Sequence, residues 1–473
     1  MNIYPQIFII ILLFIACETS TDKIIDQKPN IIFLIADDAG YGDIGCYGQE
    51  VFNTPNIDRM ASEGMLFTQH YSGSTVCAPS RSSLMTGQHT GHTFIRGNKG
   101  VQPEGQYPLP DSIQILPELL KKAGYITGGF GKWGLGGPGT EGDPVYQGFD
   151  DWFGYNCQSL AHNYYPEYLW HNQDTAFLHG NDNRGTAQFS HDIIHQKALE
   201  FIENNKDNTF FLFLPYTIPH AEILAPEDSI LQRYLGKFEE TPYLGVDDGP
   251  RYRKGPYGSQ QYPRATFAAM MERLDLAVGD IMNKIDKLGI GDNTVFIFTS
   301  DNGPHLEGGA DPDFFNSNGI LRGYKRDLYE GGIRVPFIVR WPKKIQSGIK
   351  TSHISAFWDI MPTFCDIAGI DTPVNTDGIS FLPTLKQEGI QNKHHYLFWE
   401  FYEQGGKQAV RMNKWKGVRL NIKNQPDNPI ELYNLTEDPE ERNDISANYP
   451  EVVETIKGIM QKAHSPSDVF TYR

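Results

Sequence analysis

The chain has 473 residues and a formal net charge of −17, with 41 Lys and Arg against 58 Asp and Glu. Hydrophobic residues make up 39% and charged residues 21%, which excludes a disordered chain and predicts a large folded unit joined to a smaller one. The acidic balance excludes non-specific nucleic-acid binding, so a site for an anion has to be a local basic pocket in an acidic protein.

The N-terminal run 7–16 is uninterruptedly apolar, too short to span a membrane, and followed by Cys17 and the polar stretch 18–22. It reads as a signal peptide over 1–16 and predicts an exported, periplasmic or cell-surface protein. It resembles a bacterial lipoprotein signal, which would make Cys17 the lipidated first mature residue and the lipid the protein's one membrane contact. Phe14 stands where leucine is commoner and no Lys or Arg precedes the run; the other reading is an ordinary cleaved signal with an incidental cysteine. Residues 17–28 read as a polar tether.

The apolar run 29–36 predicts a buried central strand ending at Asp37-Asp38 and a glycine turn. Thr54 as cap and Pro55 at the first position predict a helix. Met65-Leu66-Phe67 predicts a strand, and a polar turn then leads to Cys77-Ala78-Pro79-Ser80-Arg81. Pro79 fits a first helical turn and Gly87 a helix stop. The apolar stripe Ile115, Leu116, Leu119, Leu120 predicts a helix over 109–123 capped by Asp111. Residues 124–130 predict a strand leading to Gly131-Lys132-Trp133-Gly134.

Residues 138–179 carry little periodicity and read as long loops over an active face. A helix is predicted over 189–204, a buried strand over 210–214 running on to His220, a surface excursion over 224–262 and an amphipathic helix over 266–288. Strands follow over 294–299, before Ser300-Asp301-Asn302, and over 336–341. This alternation predicts an α/β fold over 29–385: a large, mostly parallel or mixed sheet sandwiched by helices. From 386 the pattern changes to short strands at 396–402, 408–412, 415–420 and 430–435 and a helix over 450–463. That predicts a C-terminal α+β subdomain, 386–473, with a small antiparallel sheet.

Two strand ends carry Asp37-Asp38 and Asp301-Asn302, and sites in open α/β sheets form beyond such ends. Three carboxylates and an amide oxygen make a hard site, suited to Ca²⁺ or Mg²⁺ and poor for zinc. Either pair alone would more often be a cap or turn. Cys77 near a helix N-terminus, with Arg81 one turn on, suits attack on an anionic ester. A lone cysteine there would more often be a buried turn residue.

The segment Cys77-Ala78-Pro79-Ser80-Arg81 followed by Ser83-Leu84-Met85-Thr86-Gly87 resembles the signature of type I formylglycine-dependent sulfatases, in the alkaline phosphatase superfamily. The likeness extends over about 30–450 and includes Glu330-Gly331-Gly332 and Glu431-Leu432-Tyr433-Asn434-Leu435. It implies that a formylglycine-converting enzyme oxidises Cys77 to formylglycine, and that Asp37, Asp38, Asp301 and Asn302 hold a cation, usually calcium. One hydroxyl of the aldehyde hydrate attacks sulfur and the other expels sulfate, a route closed to plain Ser or Cys. Lys132, Lys325 and Arg81 would stabilise charge, and His220 would protonate the leaving oxygen, with Lys325 next in line. Many family members have histidine where this chain has Gly134; His162 is a candidate stand-in. With Cys17 and Cys77 so used, Cys46, Cys157 and Cys365 remain, too few for a disulfide scaffold.

The segment Gly131-Lys132-Trp133-Gly134-Leu135-Gly136 is similar to that of bacterial polysaccharide sulfatases, which implies a sulfated galactose or N-acetylgalactosamine polymer as substrate. Trp152, Phe153, Tyr155, Tyr164, Tyr165 and Trp170 are candidates either to stack a sugar ring or to cover the sheet. Two other readings remain open on sequence: a phosphodiesterase or phosphonate monoester hydrolase of the same superfamily, and a catalytically dead glycan-binding lipoprotein.

Overall fold

A computed structural model describes residues 27–102, 105–246 and 257–472. The apolar run 7–16, Cys17 and the tether as far as residue 26 lie outside the described residues. The run after the tether forms β1 (Asn30–Asp37), buried along its whole length. Successive side chains go to opposite faces: Ile32 and Leu34 enter one core, Ile31, Phe33 and Ile35 the other.

The remaining strands of the first sheet are β2 (Met65–Tyr71), β3 (Ile126–Lys132), β4 (Asp151–Tyr155), β5 (Tyr168–His171), β6 (Asp174–Phe177), β7 (Phe210–Pro219), β8 (Thr294–Ser300), β9 (Arg334–Arg340), β10 (Ile349–Thr351) and β11 (Ser355–Ala356). Their order is β10-β2-β9-β8-β1-β7-β3-β4-β5-β6, with β11 also on β2. β8, β1, β7, β3 and β4 run parallel, while β9 is antiparallel to β8 and β2, and β5 to β4 and β6. The sheet is therefore mixed. One face is covered by α1 (Pro55–Glu63), by a helix at Ser190–Asn204 and by the long helix Pro263–Lys287. The other is covered by α2 (Cys77–Thr86), α3 (Leu116–Lys122) and the helix Ile360–Ala368.

Three sequence expectations change. The helix expected over 109–123 begins at Leu116, with Ile115 as N-cap and Glu118 accepting its N–H at 3.0 Å. Pro117 is the cause: it fits a first turn but not an interior. Asp111 lies in the preceding turn and caps nothing. Thr54 stands at the N-cap of α1 but spends its hydroxyl on the Gly45 N–H; the Asp275 carboxylate of the long helix takes the N–H groups of Asn56 and Ile57 instead. The stretch 138–179, expected to be loops, supplies β4, β5 and β6. Trp152, Phe153, Tyr155, Tyr164 and Tyr165 are buried there, so these aromatics cover the sheet.

The C-terminal strands β12 (Leu397–Phe401), β13 (Lys407–Met412), β14 (Trp415–Leu420) and β15 (Glu431–Asn434) form an antiparallel meander. The helix Pro450–Lys462 packs Ile456 and Met460 against Phe398 and Val410. The small sheet is tied to the large one by a buried ion network. Lys416 Nζ donates to Glu330 Oε1 at 2.9 Å and lies 3.5 Å from Glu441 Oε1, all three residues fully buried. Burial pushes the Glu441 carboxyl up to about 7, so the cation already holds a costly pair of acids. Lys416→Met is expected to lower stability by about 3–5 kcal/mol in denaturant unfolding, because it strands that pair; a change below about 1 kcal/mol would refute the network's importance.

Candidate active site

The parallel strands β8, β1, β7 and β3 are neighbours, so their carboxyl ends stand in a row. Asp301-Asn302 follows β8, Asp37-Asp38 closes β1, His220 follows β7 and Lys132 ends β3. Asp38 sits at φ 66°, a left-handed value that Asp tolerates better than most residues, and its N–H donates to Asp301 Oδ1 at 3.2 Å.

α2 delivers Cys77 to this row as its first helical residue, and Gly87 at φ 67° ends the helix with its N–H on Ser83 O. Ser80 Oγ donates to the Asp301 carbonyl at 2.6 Å. The Arg81 guanidinium donates to Asp301 Oδ2 at 2.9 and 3.2 Å and to the Lys132 carbonyl, and lies 3.6 Å from Asp37. The helix start is thereby pinned to both sides of the row. The Cys77 thiol donates to Asp37 Oδ1 at 3.3 Å, and Lys132 Nζ approaches its sulfur at 3.5 Å. Burial and the Asp37 charge push the thiol well above its ordinary pKa. Unmodified Cys77 is therefore a protonated thiol and a poor nucleophile.

Lys132 Nζ donates to Asp37 Oδ2 at 2.6 Å. Burial would raise the Asp37 carboxyl, but Lys132, Arg81 and Lys325 hold it well below the carboxylate range. Burial and the Asp37 charge push Asp301 the other way, up to about 7. Asn302 donates its amide to Asp38 Oδ1 at 2.6 Å, while its buried amide oxygen has no hydrogen-bond partner. An orphaned carbonyl oxygen among three carboxylates, one of them forced toward protonation, fits a hard divalent cation.

Lys325 Nζ meets Asp38 Oδ2 at 2.8 Å, His220 Nε2 at 2.9 Å and Glu307 Oε2 at 3.3 Å. Burial opposes its charge, yet Asp38 beside it, with Glu307 and Asp37, holds the ammonium well above its ordinary value. Burial and the charges of Lys325 and Lys132 push the His220 imidazole well below its own. Neutral His220 donates from Nδ1 to the Ala221 carbonyl and accepts the Lys325 proton at Nε2. Its ring stacks on His162 at 5.3 Å and on His305 at 5.5 Å, and its backbone carbonyl accepts from Tyr164 Oη at 2.6 Å.

The structure thus brings together Asp37, Asp38, Cys77, Arg81, Lys132, His220, Asp301, Asn302 and Lys325, with His162 against His220. Around Gly134 the nearest side chain is that of Gln158: a Cβ added there, at φ 82°, would have Gln158 Nε2 as its nearest neighbour, 3.4 Å away. Gln158 donates to Asn98 Oδ1, which accepts from Ala78 N on α2. Trp170 lies on β5, two strands along the sheet from Lys132, edge-on to Tyr168. Sequence reasoning missed Glu307, His305, Gln158 and Asn98; the run Asn302-Gly303-Pro304-His305, leaving the same strand end as Asp301, was the available signal for two of them.

Buried carboxylates and cations at the carboxyl edge of a mixed α/β sheet, facing a helix N-terminus, fit a hydrolase of anionic esters. The sulfatase family profile matches residues 29–370, and the profile of the N-sulphoglucosamine sulphohydrolase C-terminal region matches 323–465. N-acetylgalactosamine-6-sulfatase of Homo sapiens is 31% identical, over 92% of this chain and 85% of its own. N-acetylgalactosamine-6-O-sulfatase of Bacteroides thetaiotaomicron is 30% identical, over 92% and 93%. The crystal structure of Ps i-CgsB in complex with k-i-k-neocarrahexaose superposes with a TM-score of 0.77 at 27% identity, over 94% of this chain and 95% of that one. The chain belongs to the sulfatase family and is a sulfuric ester hydrolase.

Proposed function

We propose that this enzyme removes sulfate from galactose or N-acetylgalactosamine units of a sulfated polysaccharide, as an exported and lipid-anchored protein. The relatives named as N-acetylgalactosamine-6-sulfatases and the neighbour bound to k-i-k-neocarrahexaose support the sugar class. The observation that carries the reading is Cys77 held at the start of α2 between Asp37 and Lys132. Formylglycine made from Cys77 would supply the oxygen nucleophile, and a divalent cation, Ca²⁺ in the first instance, would supply the positive charge that makes it more acidic and polarises the ester.

This chain's own residues do the rest. Asp37, Asp38, Asp301 and Asn302 would hold the cation. Lys132 and Arg81, both buried, place positive charge beside position 77 and offset the charge of the sulfuryl group. Lys325 carries the proton that the leaving sugar oxygen needs, and His220 orients it through Nε2. His162, stacked on His220, is the candidate contact for the sugar.

The test is sulfate release from a panel of sulfated mono- and oligosaccharides, with mass spectrometry of the position 77 peptide on the same preparation. Release from a galactose or N-acetylgalactosamine ester, with aldehyde at 77, is expected. Hydrolysis of a phosphodiester and of no sulfate ester would overturn the reading, and glycan binding without release from fully converted protein would favour a dead site. Chelator treatment is expected to lower the rate about a hundredfold or more, with recovery on adding Ca²⁺, and to lower Tm, since the buried carboxylates lose their counter-ion.

A further inference from the structure

Away from the Cys77 site, a groove of about 720 Å³ opens between the two sheets. Three segments bound it: 352–354 between β10 and β11, 391–397 leading into β12, and 411–414 at the end of β13 and in the turn to β14. Six of its fifteen lining residues are basic or imidazole side chains: His353, Lys393, His394, His395, Arg411 and Lys414. None is Asp or Glu, in a chain with 58 acidic residues and a net charge of −17. Two of the six have part of their charge answered from behind: His394 Nε2 meets Asp359 at 2.7 Å, and Arg411 Nη1 lies 3.7 Å from Glu330. Lys393, His395 and Lys414 are exposed at the groove. The groove shares no lining residue with the Cys77 cluster.

A polyanion approaching this molecule is repelled by its net charge, and binds only where the local field reverses. A concave, acid-free, basic groove of a size that holds small ligands is such a place. We propose that it is an accessory binding site for the sulfated polysaccharide chain, gripping sulfate groups of the polymer remote from the ester being cleaved. The proposal rests on the reading of the substrate as a sulfated glycan. It assigns the C-terminal sheet a share in polymer binding: Arg411 lies on β13, Lys414 in the β13–β14 turn and Lys393 in the segment entering the sheet. Exposed ion pairs are individually weak, so the grip comes from several together.

The experiment uses the full chain with Cys77→Ala, to stop turnover, and with or without Lys393→Glu and Lys414→Glu. Chondroitin 6-sulfate is the polymeric probe, hyaluronan its unsulfated control, and binding is measured by calorimetry at two salt concentrations. The double charge reversal is expected to weaken chondroitin 6-sulfate binding about tenfold at low salt and less at high salt. In the catalytic background, kcat/KM on N-acetylgalactosamine 6-sulfate is expected to change less than twofold. Unchanged polymer affinity would overturn the proposal, as would equal losses on polymer and monosaccharide or equal binding of hyaluronan. Loss of polymer binding in a protein whose unreversed form releases no sulfate would leave the groove standing and sink the substrate reading.

Discussion

Replacing Cys77 with alanine or serine is expected to lower sulfate release by about 10⁴-fold or more, the scale on which loss of a covalent nucleophile acts. The serine variant is the sharper case. It puts an oxygen where the thiol stood, at the same helix N-terminus and beside the same Lys132 and Asp37. A serine carries one oxygen on its β-carbon, so sulfate passed to it has to be removed by water. An aldehyde hydrate carries two, and the second expels the sulfate. Steady turnover should therefore be lost with serine as completely as with alanine. The two variants differ in what is left behind: mass spectrometry of the Cys77→Ser protein should find at most one stoichiometric sulfation of the introduced hydroxyl, and none in the alanine protein. The fold should tolerate both changes, since the buried thiol makes two hydrogen bonds, with Asp37 and Lys132, each a loss of about 1 kcal/mol. Steady turnover by the serine variant would refute formylglycine as the working form. The same logic gives the wild type an internal control: the protected, protonated thiol is inert, so activity should scale with the fraction of aldehyde at position 77.

What was legible in the sequence followed from range. The α2 segment is local: Pro79 and Gly87 mark its ends, and Cys77 and Arg81 sit one turn apart. The acidic pairs were legible because each closes an apolar run that had to be a strand, and parallel strands bring their carboxyl ends together. β4, β5 and β6 were not legible. In β4, Gly154 interrupts a stretch buried on both sides, and β5 and β6 are four-residue strands at the sheet's edge, too short for alternation to mark them. The start of α1 is satisfied by Asp275, 219 residues from Asn56, which no local rule anticipates. The surroundings of Gly134 were hidden for the same reason: Gly134 follows β3 and Gln158 follows β4, and the two meet because those strands pair in parallel.

Lys325 and His220 carry the second large effect. The family resemblance makes His220 the acid. Lys325 was next in line, and the proton is proposed for it because burial and two neighbouring ammonium groups push the imidazole down while Asp38 and Glu307 push the Lys325 ammonium up. Lys325→Met or His220→Ala is expected to lower kcat/KM on a sugar sulfate by about 10²–10⁴-fold, the usual span for a lost general acid. On nitrophenyl sulfate, whose phenolate leaves without a proton, His220→Ala should lose at least about tenfold less. Lys325→Met should keep a larger share of its loss on both substrates, since it also removes a charge next to Asp38. The pH profile separates the two assignments. A folded imidazole lowered below its usual value takes up its proton only at more acid pH, so kcat/KM should show no step from His220 between about pH 6 and 7. A basic limb would instead follow loss of the Lys325 proton, which lies above the ordinary lysine value. Equal losses on both substrates in both variants would mean that the pair positions the sulfate and donates nothing, and the proton would then have to come from water admitted beside His162.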